Sequence, residues 1–449
     1  MTPSPLMLWT TALVGLPALT VRALMPEYAA AAIGVLLLLV AWALIDAFLS
    51  RGSLRNIGAQ FPDVVRMTKC REGIIDVLLV NPAPRSRAIR VALSLPRELD
   101  SPYETLRTKL LAHPTQTQLS WNCTPKKRGN YRLENVYIEA SSLLGMWTVR
   151  TQAAAHADVR VYPDLRRDRR SLAALFLNRG AFGIHTQRQV GQGREFEKLR
   201  EYVPGDSFTD IHWKATAKRG RPVTKLYQVE RTQEVYVLID SSRLAARTVT
   251  FEDAASPDER VVTQLERFVS SALVLGLAAE RQGDLFGLLT FSDGIHQFLR
   301  AGTGKGHFDA CRDALYGLEP RRVTPDFSEM ASFVRTRLRR RALLLILTNL
   351  DDPVLAEQFV ANCALFERHH LVLVNMLTPP KVGPIFSGAS PHVTDDVYDH
   401  LAGHLIWHDL QQLKRTLYRQ GVTFGMLPHA SLAADLVSQY VQVKQRQLI

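Results

Sequence analysis

Residues 29–49 read AAAAIGVLLLLVAWALIDAFL, and no other stretch constrains the architecture as strongly. A helix needs about 20 predominantly apolar residues to cross a hydrocarbon core, and this nearly charge-free run supplies them. A second apolar stretch, residues 6–24, precedes it across the short break Met25-Pro26-Glu27-Tyr28. That stretch contains Pro17 and carries Arg22 near its end, so taken alone it suits an uncleaved signal sequence or a half-buried helix. A cleaved signal peptide needs a basic stretch before its apolar core and a small-residue site after it. Residues 1–5 carry no side-chain charge and no Ala-x-Ala site follows, so the two runs are read as a helical hairpin rather than as buried helices of a soluble core. Arg51, Arg55, Arg66, Lys69 and Arg71 follow the second run, whereas the connecting turn offers only Arg22 and Glu27. Basic flanks stay on the cytoplasmic side, so both termini and nearly all of the remaining chain are expected there.

Beyond residues 1–50 about 400 residues remain, enough for two or three domains. Over residues 51–165 the pattern is one of short alternating runs, at 74–80, 88–95, 116–121, 131–138, 147–151 and 159–162, punctuated by turns such as Asn81-Pro82-Ala83-Pro84. Short strands at about ten-residue spacing without covering helices predict an antiparallel β-sandwich. Residues 166–231 are polar and basic and read as a linker. After it, over 232–449, continuous apolar runs at 235–239, 285–291, 342–347, 370–377 and 422–427 alternate with helical patterns at 260–282, 306–318, 327–340, 354–368, 400–419 and 431–445. Such strands predict a mostly parallel sheet covered on both faces, with any ligand beyond the carboxyl ends of its strands.

Composition narrows the classes. The four cysteines, Cys70, Cys123, Cys311 and Cys363, form no Cys-x-x-Cys pair, which argues against a disulfide framework or a thiolate zinc site. The formal charge of +12 includes arginine clusters at 166–170 and 335–341. Beside a membrane these suit lipid head groups or an acidic partner, and no aromatic-basic stretch or fold motif points to nucleic acid.

The first strand of the α/β region ends in Asp240-Ser241-Ser242-Arg243-Leu244. This resembles the Asp-x-Ser start of the metal-ion-dependent adhesion site of von Willebrand factor type A domains, in which carboxylates and hydroxyls from three loops surround a hard divalent cation. Asp240 and Ser242 fit the pattern, and Thr324 supplies a candidate threonine. Leu244 stands where a second serine belongs, and Asn349, with Asp351 nearby, where a second aspartate is usual. A magnesium-type ion at this degenerate site is the alternative to Asp240 and Ser242 merely capping backbone groups. His400, His404 and His408 recur every four residues, but without an inserted glutamate or thiolate they read as an exposed or interfacial face. Residues 302–306, Gly-Thr-Gly-Lys-Gly, lack the first glycine and the final hydroxyl of a phosphate loop and read as a turn.

The linker carries the most specific motif. Arg200-Glu201-Tyr202-Val203-Pro204-Gly205-Asp206, followed by Ile211-His212-Trp213-Lys214-Ala215-Thr216-Ala217-Lys218, closely resembles the hallmark of the bacterial "domain of unknown function fifty-eight" family. The order of parts is similar too: a membrane hairpin, a β-rich region, the hallmark and a von Willebrand type A-like domain of Rossmann-like α/β architecture. The chain departs at Thr209-Asp210, where members often carry basic residues, and at the two metal positions.

The resemblance implies a multi-pass protein of the bacterial inner membrane that works beside a MoxR-type AAA+ ATPase and handles envelope client proteins. It implies a non-enzymatic adaptor or scaffold, with the hallmark residues Arg200, Glu201, Tyr202, Pro204, Gly205, Asp206, His212, Trp213 and Lys214 as a docking segment. The alternatives are a metal-dependent hydrolase and a membrane receptor with a ligand-binding sandwich.

Overall fold

The computed structural model describes residues 1–81, 86–111, 116–166, 168, 189–191, 195–204, 206–229, 233–250, 261–385 and 394–446. The chain forms two compact units, Met1–Pro163 and Asp164–Ile449. The apolar hairpin and the β-rich region thus share one unit, and the hallmark segment groups with the α/β region.

In the first unit, α1 (Pro5–Leu24) and α2 (within Pro26–Ser50, regular from Ala29) are each long and apolar enough to cross a membrane. Ser4 caps α1 by accepting the Met7 N–H. Pro17 has no N–H to give and its ring displaces the carbonyl one turn earlier, and the helix widens to a π-type segment over Thr11–Gly15 just before it. The hydroxyls of Thr10 and Thr11 donate to the Met7 carbonyl and that of Thr20 to the Pro17 carbonyl. Polar groups of an otherwise apolar helix are in this way satisfied internally.

Ten strands complete this unit among the described residues: β1 (Thr2–Pro3), β2 (Gly58–Gln60), β3 (Val64–Thr68), β4 (Gly73–Val80), β5 (Arg87–Leu93), β6 (Leu99–Asp100), β7 (Leu106–Leu110), β8 (Gln116–Pro125), β9 (Gly129–Ser141) and β10 (Trp147–Tyr162). One sheet runs β1-β10-β9-β5-β7, with β3 pairing parallel to β10, and the other runs β2-β4-β8-β6. Val77 and Leu79 of β4 pack with Val91 of β5 and Ile138 of β9, so the two sheets close a shared core as expected of a sandwich. The runs 147–151 and 159–162, which read as two strands, are one long strand bulged between Ala154 and Ala157. Its alanine-rich middle lacks the β-branched signal that marks a strand.

The second unit begins with a three-stranded antiparallel sheet, β11 (Gln189–Gly191), β12 (Glu195–Glu201) and β13 (Val223–Val229), ordered β11-β13-β12, with the short helix α3 (Trp213–Arg219) between β12 and β13. The hallmark therefore sits on regular structure, where a linker was expected.

The main sheet has β14 (Glu234–Asp240) near its centre. A small ribbon of β15 (Thr248–Thr250) and β16 (Val261–Thr263) follows, then α4 (Gln264–Arg281), β17 (Leu285–Phe291), β18 (Ile295–Gly302), α5 (Lys305–Leu315), α6 (Phe327–Arg337), β19 (Leu343–Leu347), α7 (Pro353–Cys363), β20 (Leu371–Leu377), α8 (Thr394–Arg419), β21 (Thr423–Leu427) and α9 (Leu432–Gln445). The order is β18-β17-β14-β19-β20-β21, parallel throughout except for β18 against β17.

Strand alternation explains the double cover. Val235, Val237 and Ile239 pack with α4, α5 and α9, while Tyr236 and Leu238 pack with α6, α7 and α8. A strand buried on both faces must be apolar at every position, which is why these runs are continuous. Each fully buried Val, Leu or Ile contributes roughly 1.5–3 kcal/mol. Thr263 starts α4 by accepting the Glu266 N–H, so the helix begins later than residue 260.

Candidate functional site

The carboxyl edge of the main sheet gathers the loops that the sequence singled out. Backbone bonds join them: Arg321 N–H donates to the Ser241 carbonyl at 2.7 Å, Arg243 N–H to the Val323 carbonyl at 2.9 Å, and Ser241 N–H to the Phe291 carbonyl at 2.8 Å. The loop after β14, the loop before α6 and the end of β17 therefore meet.

Asp240 is fully buried at their centre. Its Oδ1 accepts the Ser242 N–H at 2.8 Å and its Oδ2 the Thr348 hydroxyl at 2.6 Å. Burial pushes its carboxyl above the usual range, against the opposing pull of the Thr348 and Ser242 hydrogen bonds. Ser242 Oγ accepts the Leu244 N–H and caps the next turn. The Asn349 amide donates to Gln264 Oε1 and to the Leu244 carbonyl, and Asp351 pairs with Arg247. Thr324 is exposed in the loop that bonds to Arg243.

A hard divalent cation needs several oxygens with lone pairs to spare. Leu244 is buried and has no ligating oxygen, Asn349 aims N–H groups at protein acceptors, and one Asp351 oxygen is on Arg247. At Leu244 and Asn349 the arrangement therefore lacks two of the oxygen ligands of the adhesion-site pattern. Thr348, which sequence reasoning passed over, is the residue that engages Asp240, and its position directly after an apolar strand was the available signal. His404 stacks on Trp407 with ring centroids 5.6 Å apart and His408 meets Gln412 at 3.0 Å. Among the described residues no three His, Cys, Asp or Glu side chains converge as a metal would require.

At the opposite end of β14 a cavity of about 480 Å³ is lined by Arg300, Arg337, Arg339 and Arg340, with Glu234 and Tyr236. Arg340 lies 3.7 Å from Glu234, and Arg337 sits over the Phe333 ring. Part of the basic cluster at 335–341 is thus concentrated on one concavity.

The hallmark divides into two sets of residues. Arg200 donates to Asp206 Oδ1 at 2.6 Å while Asp206 Oδ2 accepts the Val203 N–H at 3.1 Å, so the charged pair ties the turn. His212 Nδ1 accepts the Ala215 N–H and caps α3, and Thr216 Oγ1 accepts the Val223 N–H. Glu201 pairs with Arg221 at 2.7 Å, and Tyr202 N–H donates to the Pro222 carbonyl. Gly220 ends α3 at φ +66°, a left-handed conformation that costs glycine little. By contrast Phe208, Trp213 and Val203 are 74%, 69% and 48% exposed, with Lys214 also on the surface. Pro204 begins the turn, and Gly205 lies outside the described residues.

Two apolar helices, a β-sandwich, a hallmark turn and a doubly covered parallel sheet define a chain of the α/β-plus-sandwich class with a candidate membrane hairpin. Residues 198–384 match the family described as "Protein of unknown function DUF58". No curated protein matches the sequence significantly. Among solved structures the chain is similar to proximal thread matrix protein 1 from the mussel byssus, with 10% identity, 46% of each chain covered and a TM-score of 0.26. It is also similar to an uncharacterised membrane spanning protein from Vibrio fischeri, with 13% identity over 47% of this chain and 99% of that one and a TM-score of 0.17. A CARDB domain from Pyrococcus furiosus shows 19% identity over 24% of this chain and 94% of that one, with a TM-score of 0.16. TM-scores this low define no common overall fold. The chain spans less than half of the mussel protein's length.

Proposed function

We propose that the protein is a non-enzymatic, multi-pass adaptor of the bacterial inner membrane that docks a MoxR-type AAA+ ATPase through its hallmark turn and supports assembly or maintenance of envelope proteins. The observation that carries this reading is the division within the hallmark. Arg200 and Asp206 pair with each other and brace the turn, leaving Phe208, Trp213 and Val203 exposed around it. Large exposed aromatics on a small braced element have the chemistry of an interface anchor. The α/β domain is type A-like by the Asp240-x-Ser242 edge, and its arginine-lined cavity offers acidic partners a complementary charge.

Detergent pull-down of the full-length chain with the co-encoded ATPase tests the reading. Wild type should retain the ATPase, and Trp213→Ser with Phe208→Ser should weaken retention by about tenfold or more with melting unchanged. Absence of association for wild type, with and without nucleotide and magnesium, would contradict it. Arg200→Glu is expected to loosen the turn itself, so its effect reads folding rather than docking.

A further inference from the structure

The first unit contains a carboxylate in an unusual place. Asp46 lies four residues before the end of α2, about 6 Å inside it at 1.5 Å per residue, and is fully buried in a helix whose other side chains mostly face outward. It accepts four hydrogen bonds: from the Ser142 hydroxyl, from the N–H groups of Leu144 and Met146 at 2.9 Å each, and from the Ser50 hydroxyl at 3.3 Å. Three of these donors belong to the turn that joins β9 to β10. Ser50 Oγ in turn accepts the Leu143 N–H at 3.0 Å, and the Trp147 indole donates to the Ala43 carbonyl at 2.8 Å.

The other helix grips the same turn. Ser4 donates its N–H to the Met146 carbonyl at 3.0 Å and its hydroxyl to the Gly145 carbonyl, and β1 pairs with Trp147 and Thr148. Gly145 holds φ +82°, and a Cβ there would come within 3.2 Å of Leu6. The start of α1 and the end of α2 thus hold one β-turn from two sides. Between them its tip presents Leu143 and Leu144, 68% and 40% exposed, continuous in sequence with no charged residue from Ser141 to Thr148.

We infer that the β9–β10 turn is a membrane-interface element: Asp46 clamps it to the outer turns of the hairpin, and Leu143 and Leu144 enter the interfacial zone of the bilayer. The occupant follows from continuity. The tip shares its site with the ends of two helices whose exposed residues include Leu8, Trp9, Phe48 and Leu49. An ionisable group near the end of a span is tolerated when its lone pairs are filled by protein donors, as they are here. Trp147 and Arg51 add the aromatic and basic chemistry that such boundaries favour. The clamp makes the sandwich a rigid extension of the anchor rather than a tethered domain.

The inference rests on the membrane reading of the hairpin, and the test separates the two. Full-length protein carrying Cys70→Ser is placed in phosphatidylcholine nanodiscs with an environment-sensitive fluorophore at Leu144→Cys, Leu38→Cys or Ile74→Cys. Spin-labelled phosphatidylcholine, labelled near the glycerol or deep in the acyl chain, is the quencher. Leu38, 71% exposed in mid-α2, reports the span. Ile74 reports water, because Gly73 sits against Met67, whose partner Val161 is at the far end of β10 from the turn.

The shallow quencher should dim the Leu144 probe by about twofold or more relative to Ile74, and Asp46→Ala should abolish most of that difference while deep quenching at Leu38 persists. Deep quenching at Leu38 with Leu144 equal to Ile74 would overturn the inference and leave the anchor standing. An Asp46→Ala variant whose Leu144 quenching is undiminished would overturn the clamp. No quenching at Leu38 would overturn both readings.

Discussion

Helices α2 and α4 are similar in being long and rich in apolar residues, and they resolve that apolarity in opposite ways. In α4 fourteen residues are buried, among them Leu273, Val274 and Leu275 with no exposure at all. In α2 the buried residues are Ala32, Ala43, Asp46 and Ser50, while Leu37, Leu38, Leu44 and Phe48 are 64%, 71%, 63% and 76% exposed. Protein covers one helix. The other is inside out, burying small and polar residues and presenting leucine, which is the arrangement a hydrocarbon solvent demands. Hydropathy alone separates these two helices poorly; the chemistry of what each one buries separates them well.

The comparison breaks first where a charge is introduced. Leu273→Asp should unfold the second unit, at a cost above about 4 kcal/mol, because an unpaired carboxylate would enter a dry core. Leu38→Ala should change detergent-solution melting by less than about 0.5 kcal/mol, since that side chain is 71% exposed. Thermal unfolding followed by circular dichroism checks both, and equal effects would erase the distinction.

The next largest effect concerns what α2 does bury. Asp46→Ala strands the N–H groups of Leu144 and Met146, and a loss of about 2–4 kcal/mol is expected, visible as protease cutting between Ser142 and Trp147. Wild-type resistance in the variant would deny Asp46 its role.

Two pH dependences sharpen the protein-covered side. Burial, with the charge of His369 second, lowers the His370 pKa to about 4 from its ordinary 6.5. Stability from keeping that ring neutral is complete above about pH 6.5 and is lost as pH falls toward 4. Melting at pH 5 against pH 7 should show a loss on the order of 2 kcal/mol that His370→Gln removes. Asp240 acts with the opposite sign. Its folded pKa is raised above the ordinary 3.8, so its contribution weakens as pH rises from about 4 through the folded value. Asp240→Asn should therefore lose less stability than wild type over that rise. An identical pH profile in wild type and variant would contradict the assignment.

How legible each feature was in the sequence follows from the same physics. The two long apolar helices and the central strands were readable because a spanning length and a two-sided core both require unbroken apolar runs, and 285–291 and 342–347 lie close to β17 and β19. The edge strand β18 was missed because one-sided exposure admits His296, Gln297 and Arg300. The hallmark sheet was missed for a related reason: Glu195–Glu201 is a charged strand, and strand propensity reads charge as loop. Asp240 was found by its place after a buried strand, but its partner Thr348 lies 108 residues away, and Asp46 meets donors about 100 residues on. Long-range hydrogen bonds leave no spacing to read. Arg200 and Asp206 were legible as a motif, but only the turn geometry shows that they brace each other.

The central claim is that the outward-facing leucines of the hairpin are covered by lipid. Alkaline carbonate extraction of membranes containing the full-length chain tests it most directly. The chain should remain in the membrane pellet; its release into the supernatant, folded and intact, would contradict the account.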